Sequence, residues 1–235
     1  MNETRATIRA VLIAGGLLLA FALAGVGMVA LTYEQTLERI AENRRLTMLR
    51  QLQTVIPPGI YDNRPDQDTL MVRDPTLLGS AGPLTVYRAR LDGEPTAAIL
   101  TVVALDGYSG NISLLVGVFS DGRLSGVRVI SHQETPGLGD AIERERSTWI
   151  SGFDNRSLED PPRDGWRVRR DGGEFDHITG ATITSRAVIK AVRNALLYFE
   201  QHRDTLLDIE AGTSTETSPA KDDGEETEGA ARSGD

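Results

Sequence analysis

Apolar and polar positions divide this chain into a membrane segment and a water-soluble part. From Ala10 to Leu31 no charged or strongly polar side chain interrupts the run. A helix rises about 1.5 Å per residue, so about 20 residues cross a hydrocarbon core about 30 Å thick, and the run predicts a membrane-spanning helix. Arg5 and Arg9 precede it, and Tyr33 lies at its far end, where an interfacial aromatic is favoured. Ala22-Leu23-Ala24 has the small residues of a signal cleavage site. Cleavage there would leave an apolar start, however, and a signal core runs only about 7–15 residues, so the run reads as an uncleaved single-span anchor. Gly15, Gly16, Ala20, Ala24 and Gly27 either admit a partner helix or simply fill a lipid-facing one. Arg39, Arg44, Arg45 and Arg50 follow the span, so arginines flank it on both sides and do not decide its topology.

Beyond the span, Leu37, Ile40, Met48, Leu49, Leu52 and Val55 recur at steps near three and four until Pro57-Pro58. That spacing predicts a helical stalk from Tyr33 to about Ile56. The stretch 59–82 is rich in turn residues. Extended segments are then predicted at Leu84–Leu91, Ala97–Leu105, Ile112–Phe119 and Leu124–Ile130. Asp121-Gly122 between the last two marks a hairpin whose central turn positions are both expected at positive φ. Trp166–Arg169 reads as a further strand. The final element starts near Ser185, where Val188, Ile189, Val192, Leu196 and Phe199 form one apolar stripe at helical spacing. Strands followed by a closing helix give an α+β class with an antiparallel sheet.

Composition narrows the function. The chain has 235 residues, 25 basic against 34 acidic, and a net charge of −9. This argues against nucleic-acid binding, which depends on neutralising phosphates. Cysteine is absent, which excludes thiolate catalysis, zinc–thiolate sites and an iron–sulfur cluster held by this chain. His132, His177 and His202 are few for a protein-only transition-metal site, and no metal is expected. Residues 208–235 read as a disordered acidic tail, since the stretch from Ala211 to Asp235 carries seven acids, two bases and no large apolar side chain.

Two polar, glycine-bearing segments stand out. His132-Gln133-Glu134-Thr135-Pro136-Gly137-Leu138-Gly139-Asp140 follows the hairpin. Its glycines permit positive φ or close approach, and it offers backbone amides and the Glu134 carboxylate to a small ligand. It also reads as an ordinary strand-to-helix connection. Asp176-His177-Ile178-Thr179-Gly180-Ala181-Thr182-Ile183-Thr184-Ser185 leads into the last helix. Helix starts expose unpaired amides and the positive end of the dipole, a favourable place for phosphate. Thr184 or Ser185 as an N-cap accounts for one hydroxyl, but not for Thr179, Gly180 and Thr182 together. No adjacent base is apparent for a threonine nucleophile, so self-contained hydrolysis is not expected.

At these residues the sequence resembles a known family. Asp176-x-x-Thr179-Gly180-Ala181-Thr182 is similar to the flavinylation motif, in which a separate flavin transferase joins flavin mononucleotide (FMN) through its phosphate to the last threonine. Gly107-Tyr108-Ser109-Gly110, then Glu134 to Asp140, then Trp149 and Phe153, then the threonine motif, follow the order found in the G subunit of the Rnf (Rsx) electron-transport complex. The resemblance spans roughly residues 5–205. The C subunit of the sodium-translocating NADH:quinone reductase is the neighbouring alternative; a flavin-binding sensory module and an anchored adaptor are the others.

The resemblance implies an FMN-binding domain at 57–207, behind a short cytoplasmic tail at 1–9, an anchor at 10–32 and a stalk at 33–56. It implies covalent FMN on Thr182. The implied cofactor-binding set is Thr179, Gly180, Ala181, Thr184, Ser185, Glu134, Thr135, Gly137, Leu138 and Gly139, with Asp176, His132 and Gly110 as further candidates. Gly137, Leu138 and Gly139 would meet the isoalloxazine ring, and Glu134 or His132 would tune its potential. The implied setting is the bacterial inner membrane, single-pass, with the flavin domain on the periplasmic side. The implied partners are the lipid bilayer, the other membrane and peripheral subunits, and the flavin transferase. The chain would be a redox subunit without turnover of its own, in a complex coupling electron transfer between ferredoxin and NAD to ion movement.

Overall fold

The computed structural model describes residues 2–207; the tail expected at 208–235 lies outside the described residues. Helix α1 runs unbroken over Asn2–Val55, so anchor and stalk are one helix. It stops before Pro57-Pro58, where the missing amides end the ladder. Five strands follow: β1 (Thr69–Asp74), β2 (Ser80–Leu91), β3 (Glu94–Ala104), β4 (Ile112–Phe119) and β5 (Leu124–Ser131). They form one antiparallel sheet in the order β1-β2-β3-β4-β5. Helix α2 (Thr182–Leu207) closes the domain.

Both faces of the sheet are covered. Ala98, Leu100 and Val102 of β3, with Leu114 and Val116 of β4, pack under Val188, Val192, Ala195 and Phe199 of α2. Ala97, Ile99 and Leu115 point the other way, against Leu52, Val55 and Ile56 at the end of α1. Two-sided burial explains why Ala97–Leu105 reads as a continuous apolar run without alternation. Gly117 and Gly126 face each other across β4 and β5 and form the slot for α1. A Cβ on Gly117 would lie 2.5 Å from Val55 Cγ1, and one on Gly126 would lie 3.0 Å from the Val55 carbonyl oxygen.

Four expectations are corrected. Strand β1 falls in the turn-rich stretch: it is short, lies at the sheet edge, and its alternation of Leu70 and Val72 with Met71 and Arg73 is too brief to stand out. Strand β2 begins at Ser80, before Pro83, because Pro83 lies beyond the β3 pairing and inside an irregularity in the β1 pairing. Trp166–Arg169 is not a strand. Trp166 and Val168 are buried and Arg167 and Arg169 exposed, but one 3₁₀ turn ends at Gly165, another begins at Arg169, and the segment makes one isolated bridge, Val168 to Phe175. That alternation reflects one-sided burial, with Trp166 stacked 6.2 Å from Phe153 and tilted 4.9 Å from Phe175. In the β4–β5 hairpin only Gly122 has positive φ, at 94°, since the Gly122 amide bonds the Phe119 carbonyl at 2.9 Å and the glycine closes the turn alone.

Candidate functional site

Three segments converge at one end of the domain: the β3–β4 turn, the loop leaving β5, and the approach to α2. Glu134 ties them together. Its side chain is buried, and both carboxylate oxygens accept hydrogen bonds, Oε1 from the Ser109 amide at 3.0 Å and Oε2 from the Thr184 hydroxyl at 2.6 Å. The Glu134 amide donates to His132 Nδ1 at 3.0 Å, so the proton of a neutral His132 is on Nε2, which donates to Glu143 Oε1 at 3.0 Å. Gly107 and Gly139 make room for the carboxylate. A Cβ on Gly107 would lie 2.9 Å from Oε1, and one on Gly139 would lie 2.9 Å from Oε2. The close approach expected of Gly139 is therefore to Glu134.

The start of α2 is built by hydrogen bonds that leave Thr182 free. Gly180, at φ 84°, turns the chain, and Leu138 packs over it. The helix begins at Thr182, three residues before the expected start, because the Ser185 amide already bonds the Ala181 carbonyl at 3.0 Å. Ser185 is buried; its hydroxyl donates to the Ala181 carbonyl and accepts the Ile178 amide, both at 3.0 Å. Neither Thr184 nor Ser185 is an N-cap, since both sit inside the first turn. The amides of Thr182, Ile183 and Thr184 have no acceptor one turn back. No acidic side chain of α2 stands in that turn.

These segments wall a cleft of about 720 Å³, within the range of about 300–1,000 Å³ usual for cofactor sites. Of the expected residues, Glu134, Thr135, Leu138, Gly139, Thr179, Gly180, Ala181, Thr182 and Thr184 line it. Gly137, Ser185, Asp176, His132 and Gly110 do not. Gly137 holds positive φ, at 80°, in the loop. Asp176 faces outward: its carbonyl accepts the Trp149 indole N–H at 2.7 Å and its carboxylate lies 3.3 Å from Arg169. Thr182 is half-buried, and no hydrogen bond engages its hydroxyl among the described residues. Leu138 and Tyr108 are exposed on the rim, with Ile183.

Sequence reasoning missed Tyr108, Arg170, His177 and Ile183 as lining residues. Tyr108 and His177 lay within motifs already singled out. Arg170 gave no local signal, because tertiary contacts bring its turn to α2: Val168 is buried in the core shared with α2, and Asp171 pairs with Arg186 through contacts of 2.6 and 2.7 Å. That pair, led by the Arg186 hydrogen bond, holds the Asp171 carboxyl below the usual carboxylate range.

Known proteins match over the same region. The FMN-binding domain family matches residues 107–197, and the RnfG N-terminal region matches 1–55. The G subunit of the ion-translocating oxidoreductase complex from Pseudomonas aeruginosa (strain UCBPP-PA14) is 52% identical over 202 residues, which cover 86% of this chain and 94% of that protein. The chain belongs to this G-subunit family. Members from Pseudoalteromonas atlantica and Vibrio cholerae (serotype O1, strain O395) are each 46% identical over 192 residues, covering 81% of this chain and 89% and 91% of theirs. The FMN-binding match contains every residue expected at the site, and the cleft lies within it.

Proposed function

We propose that the chain is the electron-carrying subunit of a membrane-bound, ion-translocating oxidoreductase complex, with FMN joined through its phosphate to Thr182. One observation carries the reading. An unengaged threonine hydroxyl stands at the amide-bearing start of a long helix and opens on a cleft of flavin size. The residues fit the group: the Thr182–Thr184 amides and the helix dipole favour a phosphate, and the exposed Leu138 and Tyr108 offer apolar surface to a ring. When bound, FMN supplies the electron transfer; the protein supplies attachment and electrostatics.

Attachment requires an activated donor, because the phosphate of free FMN has no good leaving group. A flavin dinucleotide meets that need. The Thr182 oxygen bonds to the flavin-side phosphorus, the pyrophosphate bond breaks, the nucleoside monophosphate leaves, and the hydroxyl proton passes to solvent. Both oxygens of the nearby buried carboxylate are occupied, which fits a nucleophile activated by an external flavin transferase. Thr179 lines the same cleft as Thr182 and would be available to the diester, while the Thr184 hydroxyl is held by Glu134.

Leu12–Ala30 is long and apolar enough to cross the membrane, and is proposed to do so once. The proposed division is a cytoplasmic tail at 1–9, an anchor at 10–32, a stalk at 33–56 and a flavin domain at 57–207 on the periplasmic side. The remaining subunits supply the other redox centres and the ion path, so no independent turnover is expected. Intact-mass analysis after co-expression with a flavin transferase tests the attachment: wild type gains one FMN and Thr182→Val gains none. Wild type left at its unmodified mass overturns it. Because the sequence has no cysteine, one cysteine introduced at exposed Met71 reports orientation. It should react with a membrane-impermeant maleimide in intact cells whose outer membrane has been permeabilised.

A further inference from the structure

Arg170 is a charged side chain on the cleft wall that the attachment reading leaves without a role. It belongs to the 3₁₀ turn Arg169–Asp171, whose other two members are committed. Arg169 pairs with Asp176 at 3.3 Å, and Asp171 is gripped by Arg186. No hydrogen bond or ion pair engages Arg170 among the described residues, and Asp171 senses its charge only through space. The one carboxylate on the lining, Glu134, already accepts from Ser109 and Thr184.

The fork, together with the buried Val168 that precedes the turn, sets where this cation stands. Residues 182 and 186 lie one helical turn apart on the same face of α2. Arg186 holds Asp171 beside that face, and Arg170, its chain neighbour, reaches the cleft that Thr182 opens on. We infer that Arg170 is the side-chain countercharge to the phosphodiester formed on Thr182, and that Asp171 is the positioning residue that holds it there. The inference rests on Thr182 being the attachment point. A diester has two unbridged oxygens. The helix-start amides approach from the helix, and a planar guanidinium from the facing turn offers parallel N–H donors to the anion. The same charge steadies the anionic donor during attachment.

The test uses the full chain in detergent with purified flavin transferase and a flavin dinucleotide, followed by intact mass over time. Arg170→Gln should slow modification about tenfold, the loss expected for one charge-assisted hydrogen bond. Arg170→Lys should recover most of the rate. Arg167→Gln, which removes an exposed charge away from the cleft, should match wild type, and all variants should melt with wild type. On fully modified protein, the phosphorus resonance of the diester should shift in Arg170→Gln but not in Arg167→Gln. Modification of Arg170→Gln at the wild-type rate overturns the inference, as does a slowed rate with an unshifted phosphorus resonance, which would assign the residue to transferase docking. Both results leave attachment at Thr182 intact, whereas an unmodified wild type overturns the two together.

Discussion

Glu134 joins the segments of the site through a single side chain. Its carboxylate is buried and depends on two donors, the Ser109 amide and the Thr184 hydroxyl. Thr184→Val keeps the shape and removes one donor, leaving Oε2 without a partner. A buried acceptor left unmade costs about 1–3 kcal/mol, so the variant should unfold at a lower denaturant midpoint by that amount with its m-value unchanged. Gly139→Ala acts on the same residue by crowding, since its Cβ would lie 2.8 Å from Glu134 Cβ. It should destabilise by about 1–3 kcal/mol, and the two effects should be non-additive because they share a partner. At this scale the sequence marked residues that the fold brings together, for partly different reasons. Glycine spacing marked the loop after β5, but Gly139 serves the carboxylate, and His132 spends both ring nitrogens on Glu134 and Glu143. Hydroxyl content marked the helix start, but Ser185 is consumed inside it. Which hydroxyl stays free depends on where the helix begins, and that is set by hydrogen bonds that no one-dimensional pattern displays.

The elements meet through two small devices. The first is the glycine slot in β4 and β5. On Gly117 a Cβ would also lie 2.2 Å from Ser125 Oγ, so Gly117→Ala should cost about 1–3 kcal/mol by thermal melting. Val55→Ala in that background should return part of the loss, which a double-mutant cycle measures. The second device is the Asp171–Arg186 fork. The Asp171 carboxyl titrates below its unfolded value of about 3.9, so its stabilising contribution is present above that pH and fades as pH falls through the lower folded value. Melting temperatures of wild type and Asp171→Asn should therefore differ at neutral pH and converge below about pH 4. Helix α2 and strands β2 to β5 were legible because long apolar patterns average over local noise. Strand β1 was not, because two inward side chains carry too little pattern, and the false strand at Trp166–Arg169 arose because an aromatic cluster imposes the same alternation as a ladder.

At the scale of the whole molecule, α1 divides into a part that the lipid needs and a part that the domain needs. Leu12–Ala30 buries nothing against the rest of the chain. Leu52, Val55 and Ile56, by contrast, are buried against Ala89, Ala97, Ile99 and Leu115. Two truncations separate these roles. Removing residues 1–32 deletes the anchor and leaves the buried end of the helix, so the remaining chain should purify without detergent, melt close to the full-length protein and still accept flavin. Removing residues 1–56 strips three buried side chains worth about 1.5–3 kcal/mol each, a loss of about 5–9 kcal/mol. Typical domains have only about 5–15 kcal/mol to lose, so the shorter chain should show a collapsed or absent melting transition and poor flavin uptake. Thermal melting and flavin content of the two truncations decide the point. Equal stability would mean that the stalk only tethers the flavin domain; the packing of Val55 into the glycine slot predicts instead that the membrane helix ends as part of the domain's core.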